Sequence, residues 1–478
     1  MEIGLSYLAL ALLVLLYAAS AVCIVHAIMD TRTAQGAVAW VVGLAAFPLL
    51  ALPLYLVFGR RKFKGYVTAR RLKTDRLHRL EELGHVFCPH DRHRPDAGLG
   101  TVETLEQLAR MPFTRGNGVT LLIDGEATFE AIFAAIGDAQ NYVLVQFYIF
   151  RDDGLGRRFR DCLLRARARG VAVYLLYDEI GSSRTAKAFF ASLRQCGVRV
   201  SSFNSGRSRP YRRQINFRNH RKIVVVDSQT AFVGGHNVGD EYMGLSARCG
   251  RCRDTHLRLR GPVVEACQVS FYEDWYWAQG ERLDFLDWTF DSGDGEDRTA
   301  LVIPTGPADR LESGALLFAQ MINAAKNRLW IVSPYFVPDG AIFTALQLAA
   351  LRGVDVRLIL PDKPGHLVAW LAAFSFFEDA STAGIKIYRY TGGFLHQKVV
   401  LVDNRLAAVG TANLDNRSLR LNFEITVLFA DAGFAGEVEA MLIDDLAHCR
   451  LYQDRELSER GWIFRFMVRA ARLSAPIL

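Results

Sequence analysis

Two stretches of this 478-residue chain repeat one pattern of groups suited to acid–base and nucleophilic chemistry. In NHRKIVVVD, His220 and Lys222 are followed by Asp227; in LHQKVVLVD, His396 and Lys398 are followed by Asp403. Beyond each Asp come a glycine, Gly234 or Gly410, and then an asparagine, Asn237 or Asn413, each 17 residues after its His. A single H-x-K-x4-D carries little weight, because three fixed residues recur by chance and a lone histidine beside a strand is more often structural. Two copies with the same downstream Gly and Asn mark a duplicated half-site.

Two imidazoles, two ammonium groups and two amides suit a phosphodiester. Its anionic oxygen repels anionic nucleophiles, whereas neutral imidazole can attack phosphorus and titrates near neutral pH. A second imidazole, protonated, can give its proton to the leaving alkoxide. Lys222, Lys398, Asn237 and Asn413 would offer donors to the equatorial oxygens, where transition-state charge builds. One His as nucleophile and the other as acid and base make a two-step covalent route. The lysines take the charge-neutralising role, so this chemistry calls for no metal and no cofactor. IVVVD and VVLVD read as short buried strands. Residues i and i+2 then share a face, which points each His and its Lys into one pocket. Asp227 and Asp403 complete the catalytic signature, and their place at the strand ends also suits capping a turn.

These motifs resemble the HKD signatures of the phospholipase D superfamily. GGHNVGDEY, RDTHLRLRGP, SPYFVPD and GTANLDNRSLRLNFE are similar to its bacterial cardiolipin synthase branch, and the likeness runs over nearly the whole chain. The resemblance implies a phosphatidyl-histidine intermediate, with His220 as nucleophile and His396 as general acid. It also implies a carboxylate downstream of each motif that holds the ring: Asp254 for the first motif and Glu424 for the second.

The elements that must position these groups repeat as well. FAAIGDAQNYVLVQFYIF and FAQMINAAKNRLWIVSPYF each read as helix, turn and buried strand. RDCLLRARARGVAVYLLYDE and LQLAALRGVDVRLILPD each read as helix, glycine stop and strand. The repeat therefore spans whole half-domains. Alternating helices and strands give an α/β class, here a duplicated, bilobal, pseudo-twofold fold with mixed sheets flanked by helices. One His-Lys-Asn set would meet the other at the interface of the lobes. The expected division is a transmembrane helix over residues 3–28 and a second over 36–58, then a basic linker over 59–115. The first repeat follows over 116–275, a connector over 276–299, the second repeat over 300–432 and a helical tail over 433–478. Trp275, Trp277 and Trp288 suit membrane contact or ordinary packing equally. The tail RGWIFRFMVRAARLSAPIL suits a helix lying on a membrane or one docked on the second lobe.

Apolar residues make up 51% of the chain, and the excess sits at the N-terminus. Each of the two apolar stretches is long enough to cross a hydrocarbon core of about 30 Å. No basic segment precedes the first and no small-residue cleavage site follows it, against a signal peptide. The run GRRKFKGYVTARRLK after the second stretch places the catalytic part on the cytoplasmic side of a multi-pass inner-membrane protein. The net charge of +7 fits an anionic partner. Eight scattered cysteines, Cys249-x-x-Cys252 among them, do not form a secreted disulfide framework. His85, Cys88, His90 and His93 have loosely metal-like spacing within a polar linker.

Three classes of function fit this pattern. The leading one is a cardiolipin synthase that joins two phosphatidylglycerol molecules reversibly and releases glycerol. A phospholipase D or another head-group exchange enzyme would use the same residues. A nucleic-acid phosphodiesterase is disfavoured by the membrane segments and by the lack of a nucleic-acid-binding module, so anionic membrane lipid is the expected partner. A non-catalytic scaffold would have lost one of the repeated histidines or lysines.

Overall fold

The computed structural model describes residues 2–31, 33–59, 63, 66, 92–95, 102–204, 216–245, 250–289 and 296–478. Helix α1 (Glu2–Asp30) is apolar throughout, and Tyr7–Asp30 is long and apolar enough to cross a membrane. The second apolar stretch departs from the single spanning helix expected over 36–58. Helix α2 (Ala34–Ala46) ends at Phe47, and α3 (Pro48–Phe58) starts on Pro48. Proline has no N–H to continue the α2 ladder and pushes the residue before it out of helical geometry. Phe47 accordingly sits at φ −133° and ψ 58°.

The chain folds back at this break. A Cβ on Gly43 would lie 3.7 Å from that of Ala51, whereas eight residues of straight helix rise about 12 Å. Trp40 meets Tyr55 edge-on at 5.1 Å, and the Tyr55 hydroxyl lies 2.6 Å from His26 Nδ1 on α1. Thus α2 and α3 form a hairpin against the second half of α1, and α3 ends near where α1 ends.

The basic run beyond α3 is pinned at two points. Phe63 is buried 5.1 Å from Trp277 and 5.4 Å from Phe217, and the Tyr66 hydroxyl donates to Asp274 at 2.8 Å. Helix α4 (Val102–Ala109), inside the expected linker, buries Leu105, Leu108 and Ala109. Of the metal-like cluster, His85, Cys88 and His90 lie outside the described residues, as does Cys249; the His93 N–H donates to Phe113 O.

The first half contributes strands β1 (Thr114–Ile123), β2 (Tyr142–Phe147), β3 (Ala172–Tyr177), β4 (Arg199–Ser202), β5 (Ile223–Val226), β6 (Thr230–Gly234) and β7 (Thr255–Arg260). From the centre outward they lie in the order β1-β7-β6-β5-β2-β3-β4. The second half contributes β8 (Arg298–Thr305), β9 (Arg328–Val332), β10 (Asp355–Pro361), β11 (Lys386–Tyr390), β12 (Val399–Val402), β13 (Leu406–Gly410), β14 (Asn422–Phe429) and β15 (Cys449–Leu451). Their order is β8-β14-β13-β12-β9-β10-β11-β15, which matches the first half strand for strand with β15 added at the edge. Strands β1 and β8 pair antiparallel, Thr114 opposite Ala300, and join both halves into one sheet, with the short Arg218–Asn219 segment on β14 as its sixteenth strand.

Helices cover the sheet because each buries one apolar face. Helix α5 (Asp124–Asp138) precedes β2, and α6 (Gly154–Ala168) turns Leu155, Phe159 and Leu163 inward after an Asp153 cap. Helix α7 (Lys187–Gln195) completes this set, and α9 (Ser313–Ala324), α10 (Gly340–Leu351) and α11 (Leu367–Thr382) repeat it. Helices α8 (Val263–Gln279) and α12 (Ala432–Ala447) each follow the last central strand of their half. Trp275 and Trp277 are buried on α8, and Trp288 packs against the core, so these aromatics serve packing. Helix α13 (Trp462–Arg472) follows the docked alternative for the tail. It docks on α11 through Val468, Ala471 and Phe464, while Trp462, Ile463, Phe466 and Met467 stay exposed.

Candidate active site

The two signatures meet where the halves join. His220 and Lys222 directly precede β5, and His396 and Lys398 directly precede β12. Two short parallel bridges cross from one half to the other. Arg218–Asn219 pairs with the start of β14, and Phe394–Leu395 pairs with Cys252–Arg253. The His220 N–H therefore donates to Phe423 O at 2.9 Å, and the His396 N–H donates to Arg253 O at 2.8 Å. Each motif histidine is thus registered by the backbone residue that precedes the other half's carboxylate.

This geometry corrects the pairing expected from sequence. Glu424 Oε2 accepts from His220 Nδ1 at 2.8 Å, and Asp254 Oδ2 accepts from His396 Nδ1 at 2.6 Å. The partners are crossed, because the bridges lay each motif against the opposite half's central strand. With Nδ1–H donated to a carboxylate, the lone pair of each ring is on Nε2. Both rings line a single cavity of about 810 Å³, together with Asn237, Asn413, Arg218 and Arg417.

Burial sets the charge state. It lowers the proton affinity of His220 against the pull of Glu424. His396 is pushed down to about 3, first by burial and then by Lys398, whose Nζ lies 2.9 Å from Nδ1. Burial also lowers both lysines, Lys222 to about 7. The carboxylates resist the same burial: Lys398, His236 and His396 hold Asp254 below the usual range, and His220 and Lys222 do so for Glu424. Burial thus biases both imidazoles toward the neutral form, while both carboxylates are biased toward the ionised form. Each lysine ammonium also donates to the backbone oxygen of its own motif's histidine, Lys222 to His220 O at 2.5 Å and Lys398 to His396 O.

Glycines 234 and 410 are required by close approach. A Cβ on Gly234 would fall 2.5 Å from His256 Cα, and one on Gly410 would fall 2.4 Å from Ile425 O. These contacts bring β6 and β13 against the strands that carry the carboxylates. Asn237 lines the cavity and also braces it. Its Oδ1 accepts from the Ile149 N–H at 3.1 Å, and its Nδ2 donates to the Tyr242 hydroxyl at 2.7 Å.

Asp227 and Asp403 lie apart from the cavity that the two histidines line. Each sits in a turn at the far end of its strand, with φ of 51° and 52°. Asp227 accepts from the N–H groups of Gln140, Asn141 and Tyr142. Asp403 accepts from those of Lys326, Asn327 and Arg328. These carboxylates fasten the turn ahead of β2 or β9, and four strand residues separate them from the cavity.

Several site residues escaped the sequence reading. Tyr148 meets the His220 ring edge-on at 4.9 Å, and Tyr242 meets His396 at 5.4 Å. The Thr411 hydroxyl donates to Glu424 Oε2 at 2.6 Å. Arg221, between His220 and Lys222, makes two 3.0 Å bonds to Asp274 and one of 3.1 Å to Glu424 O. Tyr242 and Thr411 lie within the quoted motifs, but their roles depend on contacts that sequence spacing does not disclose.

The family model described as "Cardiolipin synthase, PLD-like domain" matches residues 132–275 and 318–446. One described as "Phospholipase_D-nuclease N-terminal" matches residues 18–60. Cardiolipin synthase A of Pseudomonas aeruginosa is 47% identical over 96% of this chain and 94% of its own length. That of Pseudomonas fluorescens strain SBW25 is 46% identical over 95% of each. Among solved structures, phosphatidylserine synthase of Haemophilus influenzae covers 80% of this chain and is covered in full, with a TM-score of 0.58 at 16% identity. That likeness shows the fold.

Proposed function

The chain belongs to the family of cardiolipin synthases with phospholipase D-like domains, and from that premise we propose that it condenses two phosphatidylglycerol molecules through an adduct on His220. It is a phosphatidyltransferase that acts on membrane phospholipids. The observation that carries the mechanism is the pair of imidazoles in one cavity, each oriented through Nδ1 by a buried carboxylate. His220 Nε2 attacks phosphorus, the P–N bond forms, and the P–O bond to the glycerol head group breaks. His396 Nε2 supplies the proton that the glycerol carries away. The phosphodiester itself brings the negative charge that restores proton affinity to a ring otherwise held near 3. In the second step neutral His396 takes the proton from the terminal hydroxyl of another phosphatidylglycerol. That oxygen attacks phosphorus, the P–N bond breaks, and cardiolipin leaves. Lys222, Lys398 and Asn413 offer donors to the non-bridging oxygens.

The test is product analysis of the purified protein with phosphatidylglycerol alone and chelator present. Cardiolipin plus glycerol, absent with His220→Ala, is the expected result. Phosphatidic acid as sole product would identify a hydrolase, and no turnover would overturn the choice of donor.

The basic residues after α3 favour a catalytic body on the cytoplasmic face. The fold-back of α2 and α3 beside α1 supports one crossing and a re-entrant hairpin in place of the two crossings expected from sequence. The N-terminus then lies on the far side of the membrane. Impermeant labelling of a cysteine placed beside Glu2 should succeed from outside intact cells. Labelling only after lysis would restore two crossings.

A further inference from the structure

The C-terminal helix contributes no residue to the lining of the histidine cavity. At about 100° per residue, α13 has three faces. One carries Val468, Ala471 and the partly buried Phe464 and docks on α11. A second carries Trp462, Ile463, Phe466 and Met467, all exposed, with Trp462 at 71% and Phe466 at 65%; Leu473 continues it at 84%. The third carries Arg465, Arg469 and Arg472. Nothing among the described residues covers the second face.

Its surroundings indicate what does. The chain end beyond α13 returns to the cavity: Leu478 is part of its lining, and Leu478 O accepts from the Arg417 N–H at 2.7 Å. The Arg417 guanidinium donates to Asn216 O at 2.9 Å, and neighbouring Phe217 packs on Phe63, where the membrane segment enters the body. The cavity mouth, the end of the membrane anchor and the approach to α13 are therefore linked by three consecutive contacts. Lys363 and His366 at the mouth lead into Leu367 and Val368 of α11, both exposed. An exposed aromatic and aliphatic face flanked by arginines fits the boundary between head groups and acyl chains of an anionic bilayer.

We propose that the exposed face of α13 lies in the bilayer surface beside the cavity mouth, so that each phosphodiester reaches the histidines while its acyl chains remain in lipid. The proposal rests on the reading that the substrates are membrane phospholipids. It assigns α13 a second, peripheral membrane contact, distinct from α1, that orients the body.

The full chain in phosphatidylglycerol-containing nanodiscs provides the test. Lipids brominated along the acyl chain should quench part of the tryptophan emission, and Trp462→Phe should remove a measurable share of that quenched part. An identical quenched share in both proteins would overturn the proposal. The double substitution Ile463→Asp and Phe466→Asp should lower turnover about tenfold on bilayer phosphatidylglycerol. It should leave turnover of dispersed short-chain phosphatidylglycerol within about twofold. Phe466→Ser serves if the double variant melts early. Full activity on bilayers, or conversion of a wild-type dimer to a monomer by these substitutions, would assign the face elsewhere, the latter to a second copy of the chain. Failure of the wild type on both forms of phosphatidylglycerol would reject the functional reading instead, and the quenching would still report on α13.

Discussion

The two halves of the site hold equivalent histidines by unequal means. In the second half Glu424 reaches His220 with a long side chain, and the Thr411 hydroxyl steadies its Oε2. In the first half the shorter Asp254 reaches His396, and the position that matches Thr411 is Gly235. A Cβ there would fall 2.0 Å from Asp254 Oδ1, so the carboxylate occupies the space a side chain would need. Behind Asp254 stand His236 and His256, both fully buried with proton affinity lowered by burial; the matching positions beside Glu424 are Ala412 and Thr426. Lys398 lies beside the His396 ring, whereas Lys222 faces the Tyr148 ring at 5.5 Å. The duplication preserved the histidines and lysines and let their supports diverge, as the separate tasks proposed for the two rings would require.

The largest test of that division is removal of each ring. His220→Ala should cost on the order of 10⁴- to 10⁶-fold in turnover and abolish a trapped phosphatidyl adduct. His396→Ala should cost on the order of 10²- to 10⁴-fold and let the adduct accumulate from a donor with a good leaving group. An adduct lost only with His396→Ala reverses the roles.

The crossed pairing is sharpened next. Glu424→Gln should behave as a milder His220 lesion, slowing adduct formation on the order of 10²-fold, and Asp254→Asn as a milder His396 lesion. Rapid-quench measurement of adduct formation and decay separates the two. If Glu424→Gln slows decay and spares formation, the pairing within halves expected from sequence returns.

Thr411→Val should slow adduct formation about tenfold, since a hydrogen bond to a charged group contributes about 1.5–3 kcal/mol. An unchanged rate would show that Glu424 is held well enough by His220 and Asn422. Smallest in catalysis are Asp227→Ala and Asp403→Ala. Each should lower stability by about 1–3 kcal/mol through the orphaned N–H groups and leave turnover per folded molecule nearly unchanged. A loss of turnover at full stability would return either residue to the catalytic set.

What was legible in the sequence was what repeats locally. The His-Lys spacing, the strands after it and the helix order of each half follow from periodicity and from motif copies. The crossed carboxylates were illegible because they depend on two short bridges, Arg218–Asn219 and Phe394–Leu395, whose partners lie about 140 to 200 residues away in the chain. The fold-back at Phe47 had a visible cue in Pro48, yet apolar helices tolerate proline in lipid. The contacts of Gly43 with Ala51 and of Trp40 with Tyr55 decide it. Phe63 and Tyr66 were hidden in a basic run that reads as solvated linker. The turn role of Asp227 and Asp403 was foreshadowed by their place at strand ends.

The crossed pairing also orders the birth of the enzyme. While the chain is being made, His220 has no carboxylate to fix its tautomer until Glu424 has followed it out, 204 residues later. A truncated product that ends between the two motifs carries a complete first signature and an unoriented imidazole. Such a product also lacks His396, so the cavity with its two carboxylate-held rings forms only when both halves are present.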